Sequence, residues 1–167
     1  MKLYVMSGLV SALLVFAPYV LATEGAQVAS VSQPSSEQSG SLELAAAPIK
    51  SPRDLELHLK SHPGDSPLMV MPPLNRRLFL DSLRFNEKGV TTLRYDVLES
   101  LTPTEAYQIL SLFGMQGLTP QLNLRGSSPL DKKVMSITPS LLPLKDYYCE
   151  GKGTCRQGSN VACGDAC

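Results

Sequence analysis

Six side chains in this chain have the type and spacing to do chemistry: four cysteines and two histidines. All four cysteines fall in the stretch Tyr147–Cys167, spaced C-x5-C-x7-C-x3-C. Zinc would want close pairs of the C-x2–4-C kind, and only Cys163 and Cys167 approach that. A catalytic dithiol would want C-x-x-C with one thiol at a helix N-terminus to lower its pKa, and that motif is absent. The remaining chemistry is structural: Cys149, Cys155, Cys163 and Cys167 form two disulfides, in one of three pairings that spacing alone does not choose between. Gly151, Gly153, Gly158 and Gly164 supply the backbone freedom that short cross-linked loops need.

The histidines lie in "DLELHLKSHPG". Asp54, His58 and His62 recur at i, i+4 and i+8, so on a helix they share a face and form a weak candidate metal set. Pro63 biases His62 out of the helix, and histidines near a helix C-terminus also serve simply to complement its dipole. No cofactor is expected. The sequence contains no G-x-S-x-G, phosphate-binding glycine loop or H-E-x-x-H. The expectation is a protein that is not an enzyme, with no catalytic residue to name.

These residues are positioned by a middle segment rich in helix signals. "SPRD" offers Ser51 as N-cap, Pro52 at the first helical position and Asp54 in the first turn. "SPLMVMPP" is expected to run extended and buried between its prolines. "PLNRRLFLDSLRF" reads as a second helix capped by Asn75, with Leu74 and Phe79 as a staple. Alternation at Leu83 and Phe85 offers a strand instead, turning at Asn86 to Gly89, but helix is preferred. Val90, Leu93, Val97, Leu98 and Leu101 also follow helical spacing. The clearest element is "LTPTEAYQILSLFGMQ": Thr102 and Glu105 form a capping box, and Ala106, Ile109, Leu110 and Phe113 form one stripe. Gly114 ends it with a left-handed residue that lets Met115 fold back on Leu110. The expected fold class is mainly α: a small domain of about four helices over residues 51–124 with an irregular, disulfide-stapled C-terminal tail over 147–167. Prolines at 120, 129, 139 and 143 mark 125–146 as a linker.

Upstream, "MKLYVMSGLVSALLVFAPYVLATEG" has one lysine, an apolar run, Pro18 and small residues around Ala22. That is the layout of a signal peptide over 1–22 with cleavage after Ala22. Leu3 to Ala22 is also 20 residues without a charge, about enough to cross a bilayer if uncleaved. A membrane is expected as a partner only in that case. Residues 23–50 open with six serines and three glutamines before residue 42 and read as a disordered spacer.

Removing Lys2 with the signal leaves 14 basic against 15 acidic residues. A near-neutral chain has no field to steer it to nucleic acid, so that class is excluded. Two expectations follow, both for a secreted or periplasmic protein. The first is a non-enzymatic interaction or structural protein with an unidentified protein partner. The second is a precursor that releases a cysteine-rich peptide of toxin or antimicrobial type after Lys132-Lys133. The released piece would balance Lys145, Lys152 and Arg156 against Asp146, Glu150 and Asp165, whereas membrane-active peptides are usually cationic.

Overall fold

The computed structural model describes residues 42–137 and 143–167. Among the described residues, helices α1 (Pro52–Ser61), α2 (Pro73–Ser82), α3 (Pro103–Ser111) and α4 (Pro129–Met135), with a further helical stretch over 42–46, surround a four-stranded sheet. The strands are β1 (Arg84–Asn86), β2 (Gly89–Arg94), β3 (Leu144–Gly151) and β4 (Thr154–Cys163). The sheet is antiparallel throughout, in the order β1-β2-β4-β3. The chain is therefore mixed α/β, and the expectation of a mainly α domain with an irregular tail is overturned. The expected signal peptide over 1–22, with its expected cleavage after Ala22, and residues 23–41 of the expected spacer lie outside the described residues.

One device starts three of the helices. Ser51, Thr102 and Ser128 each precede a proline, and each hydroxyl accepts the backbone N–H three residues on. Proline fits the first turn because its missing N–H has no partner there in any case. The acid in the third position completes the motif: Glu105 and Asp131 return a bond to the cap backbone. Ser66 caps a 3-10 turn over Pro67–Val70, its hydroxyl accepting the Leu68 N–H two residues on, where an extended segment was expected. Leu68 and Met71 are buried there, but Val70 is exposed. Helix α3 ends in a Schellman motif. Gly114 has φ 70°, the Met115 N–H donates to the Leu110 carbonyl at 3.0 Å and the Gly114 N–H to Ser111 at 3.4 Å.

The second expected helix stops early and its cap is reassigned. Pro72 sits at the N-cap of α2, and the Asn75 amide donates to the Val97 carbonyl instead. Leu74 is exposed, so it staples nothing. Asn86 then makes a tight turn, its Oδ1 accepting from the backbone of Lys88 and Gly89, and the chain returns as β2. The run Val90–Leu101, expected as a helix, is this strand followed by a 3-10 turn over Asp96–Leu98. Val90 to Leu93 are all buried. A strand covered on both faces loses its period-2 alternation, and the apolar positions left over mimic helical spacing.

The core lies among the helices, β2 and the 3-10 turns, with Phe79 and Phe113 edge to face at 5.7 Å. Residues 42–50 reach it through Ile49, with Ala47 also buried and Leu42 exposed, against the expectation of a spacer running to residue 50. Ile49 is fully buried, and its N–H donates to the Leu112 carbonyl at 3.0 Å. The Leu44 backbone lies so close to Gly114 that a Cβ there would come within 2.9 Å of it. Residues 125–146, expected as a linker, contain α4 and the start of β3.

Candidate functional site

The cysteine segment is a hairpin, and it is bent double. β3 and β4 meet at a two-residue turn, Lys152-Gly153, with Gly153 at φ 71°. Tyr147 faces Gln157 and Lys145 faces Ala162, so four residues of β4 bulge opposite Asp146 alone. The Cα atoms of Cys155 and Cys163 are 6.1 Å apart although both belong to β4. Eight residues of straight strand would span about 26 Å. The outer half of the hairpin therefore turns back over the sheet. There the Cys149 N–H donates to Thr92 Oγ1 at 2.9 Å and the Gly153 N–H to the Cys167 carbonyl at 2.8 Å.

The bend is held by a polar clamp. Asp146 and Asn160 both take left-handed backbone, at φ 64° and 63°, which aspartate and asparagine tolerate better than other side chains. Asp146 Oδ1 accepts from the Tyr95 hydroxyl and from the Asn160 N–H, and the Tyr95 N–H donates to the Asn160 carbonyl. Burial, with the Asp146 bond and charge adding to it, raises the Tyr95 phenol well above its ordinary range. It therefore stays a hydrogen-bond donor. Lys145 lies over the same ring, 5.1 Å from its centre.

Two disulfides pin the folded hairpin: Cys149–Cys167 and Cys155–Cys163. No cysteine is free. The bridges do not join the residues that face each other in the ladder, because the direct partner of Cys149 is Cys155. The Sγ atoms of Cys149, Cys163 and Cys167 all lie within 4.8 Å of one another. Disulfides of this kind belong to an oxidising, extracellular or periplasmic environment. Cys149 and Cys167 line one wall of an open groove of about 350 Å3, to which Phe85, Glu87, Lys88, Glu150 and Lys152 also contribute.

The histidine set is placed differently. His58 and His62 stack, with ring centres 4.7 Å apart. His58 Nε2 lies 2.9 Å from Ser66 Oγ, the hydroxyl that caps the next turn, while His62 Nδ1 meets the His58 carbonyl. Burial first, and the neighbouring His62 second, lower the His58 pKa. The Asp54 carboxylate faces the helix start, accepting from the Lys50 N–H and Ser51 Oγ. These three side chains thus serve as cap, tie and helix end, and they do not converge on one point. Among the described residues the one convergent set of three ligating side chains is Cys149, Cys163 and Cys167, whose sulfurs are all bridged.

A buried carboxylate had no place among the expected site residues. Asp131 is 5% exposed and caps two helices at once: Oδ1 accepts from the N–H and hydroxyl of Thr104 in α3, and Oδ2 accepts from the Ser128 N–H. The Thr104 and Ser128 bonds lower its pKa to about 2. Gly126 makes room for it, since a Cβ there would come within 2.6 Å of the Asp131 carboxylate. The signal was present in the sequence. "SPLD" repeats the pattern of "SPRD", but the surrounding prolines suggested a linker. Lys132 and Lys133, the expected processing site, are exposed residues within the same helix.

No protein-family model, curated protein or solved structure matches this chain.

Proposed function

We propose that this is an exported, non-enzymatic interaction or structural protein that keeps its disulfide-bonded hairpin as a working part of the fold. One observation carries the reading: the cysteine segment supplies an interior strand. β4 lies between β2 and β3, with Thr92 opposite Cys163 and Leu93 opposite Ala162. Ala162, Cys163, Ala166 and Cys167 are buried. Release of Val134–Cys167 would strip β2 of a partner and uncover core side chains. Proteases need an extended substrate, whereas Lys132-Lys133 sits in α4 beside the buried Asp131. These points favour the retained hairpin over the peptide-precursor reading.

Three of the shifted titratable groups also fit a non-catalytic role, because Asp54, Asp131 and Tyr95 are each held by structural hydrogen bonds. A contact surface is offered by α2, whose Leu74 and Leu78 lie one turn apart, 67% and 37% exposed. Val70 is exposed just before it. The signal reading of residues 1–22, with cleavage after Ala22, supplies the route to the oxidising compartment.

The test is the intact mass of the protein recovered from that compartment, measured before and after reduction and alkylation. A single chain from Thr23 to Cys167, taking up four alkyl groups only after reduction, is expected. A species beginning at Val134 would sink the proposal. A photo-cross-linker at Leu74, compared with one at the exposed Glu87, then reads whether α2 meets a partner.

A further inference from the structure

We propose that Cys149 is an entry site for a small monothiol, and that attack there shuffles the two disulfides into a second pairing, Cys149–Cys155 with Cys163–Cys167. Three observations place the two pairings within reach of each other. Cys149 and Cys155 are direct partners in the β3–β4 ladder. Opposed residues in antiparallel strands have Cα atoms about 4.5–5.5 Å apart, inside the range of about 4.4–6.8 Å that a disulfide spans. Cys163 and Cys167 flank a tight turn closed by the Cys167 N–H on the Gly164 carbonyl. Their sulfurs belong to different bridges yet lie within 4.8 Å. Finally, Cys163 and Cys167 are buried, at 2% and 8% exposure, whereas Cys149 and Cys155 are half-buried, and of these two Cys149 lines the open groove.

Burial leaves one accessible sulfur in each bridge, and the groove gives the approach to Cys149. A monothiolate from solvent forms a bond to Cys149 Sγ, the Cys149–Cys167 bond breaks, and Cys167 leaves as thiolate. Cys167 then attacks its neighbour Cys163 Sγ, and the electron pair of the Cys155–Cys163 bond leaves on Cys155. The Cys155 thiolate lies across the ladder from the mixed disulfide on Cys149. It displaces the monothiolate and closes Cys149–Cys155. Two disulfides enter and two leave, the external thiol is regenerated, and no oxidant or reductant is consumed.

The pairings differ in what they hold. Cys149–Cys167 and Cys155–Cys163 tie the turned-back half of the hairpin to residues beyond its bend. The shuffled bridges lie one within the outer half and one within residues 163–167. The outer half then keeps only its non-covalent ties, including Cys149 N–H to Thr92 and Gly153 N–H to Cys167. The shuffle is a switch that frees the hairpin to swing out.

The probe is reduced glutathione, added anaerobically in substoichiometric amount to the full oxidised chain, followed by acid quench and alkylation. Trypsin cuts after Lys145, Lys152 and Arg156, and a second protease cutting before Asp165 places each cysteine on its own peptide. The expected result is that peptides 146–152 and 153–156 become cross-linked to each other, as do 157–164 and 165–167, with free thiols never exceeding the glutathione added. Retention of the original pairs at equilibrium would overturn the proposal, and so would loss of bridges without new ones. A second variant guards against failure of access alone. In Cys163→Ser/Cys167→Ser the two remaining cysteines should oxidise to a Cys149–Cys155 bridge within a folded chain. Two persistent free thiols there would overturn the second pairing directly.

Discussion

The capped helices and the stapled hairpin solve the same problem by different means. Each helix closes its own backbone bonds and needs only a cap and an apolar stripe, so its determinants sit within four residues of one another. The hairpin buries little of its own. Its shape depends on a bulge, two left-handed residues and bridges to positions 8 and 18 residues away. Order in the first region is local and non-covalent, whereas in the second it is distant and covalent. The interior position of β4 joins the two, so damage to the body should reach the hairpin more readily than the reverse.

The largest break in that asymmetry is Phe113→Ala. Phe113 is fully buried against Phe79, and deleting a buried aromatic side chain costs about 3–5 kcal/mol. Urea unfolding followed by circular dichroism should show a lower midpoint, and hydrogen exchange should speed up in the hairpin as well as in α3. If the hairpin amides stay protected, the two regions are not one cooperative unit.

Removing the bridges runs the comparison in the other direction. In the chain-entropy model the 18-residue separation of Cys149–Cys167 corresponds to about 3 kcal/mol and the 8-residue separation of Cys155–Cys163 to about 2.5 kcal/mol. Cys149→Ser/Cys167→Ser should therefore destabilise slightly more than Cys155→Ser/Cys163→Ser. Exchange should quicken first in residues 147–157 while α3 keeps its protection. Equal acceleration in α3 would show that the staples support the whole body.

The same contrast explains what could be read from the amino acids. The caps at Ser51 and Thr102 and the Gly114 ending were legible, because each signal and its consequence lie within one or two turns. β2 was misread because cover on both faces erased its alternation. β4 was misread because its partners, Thr92 to Arg94, are about 70 residues away in sequence, and glycines with Asn160 looked like turns in a loose tail. The number of disulfides followed from composition, but their pairing depends on the fold of β4 over the sheet. The arm from residue 42 was hidden by averaging: its leucines, alanines and Ile49 sit directly behind a serine-rich run.

A smaller effect tests the local side. Thr102→Ala removes the hydroxyl that accepts the Glu105 N–H and should cost about 1 kcal/mol, read as a lower urea midpoint with unchanged hairpin exchange. Asp131 sharpens this through pH. Its folded pKa of about 2 lies below the ordinary 3.8, so the unfolded chain binds more protons between those values. The stabilisation is complete above the ordinary value and is lost as pH falls toward the folded one. The difference in midpoint between the native chain and Asp131→Asn should shrink over that interval.

The smallest expected effect has the opposite sign and lies where the arm meets the end of the hairpin region. Burial first, and the charge of Asp165 second, raise the Glu43 pKa, while burial raises that of Asp165. The folded chain therefore binds protons more readily than the unfolded chain through the carboxylate range. Docking of residues 42–46 is strongest in acid and weakens as pH rises from the ordinary carboxylate values through the raised ones. Glu43→Gln removes the charge and should slow hydrogen exchange of the Ile49 amide at neutral pH, leaving it unchanged in acid. An equal effect at both pH values would mean that the amide gains a new bond rather than losing a repulsion. Acid should then loosen the Asp131 junction while it tightens the arm, so the two ends of α3 respond to the same proton concentration in opposite directions.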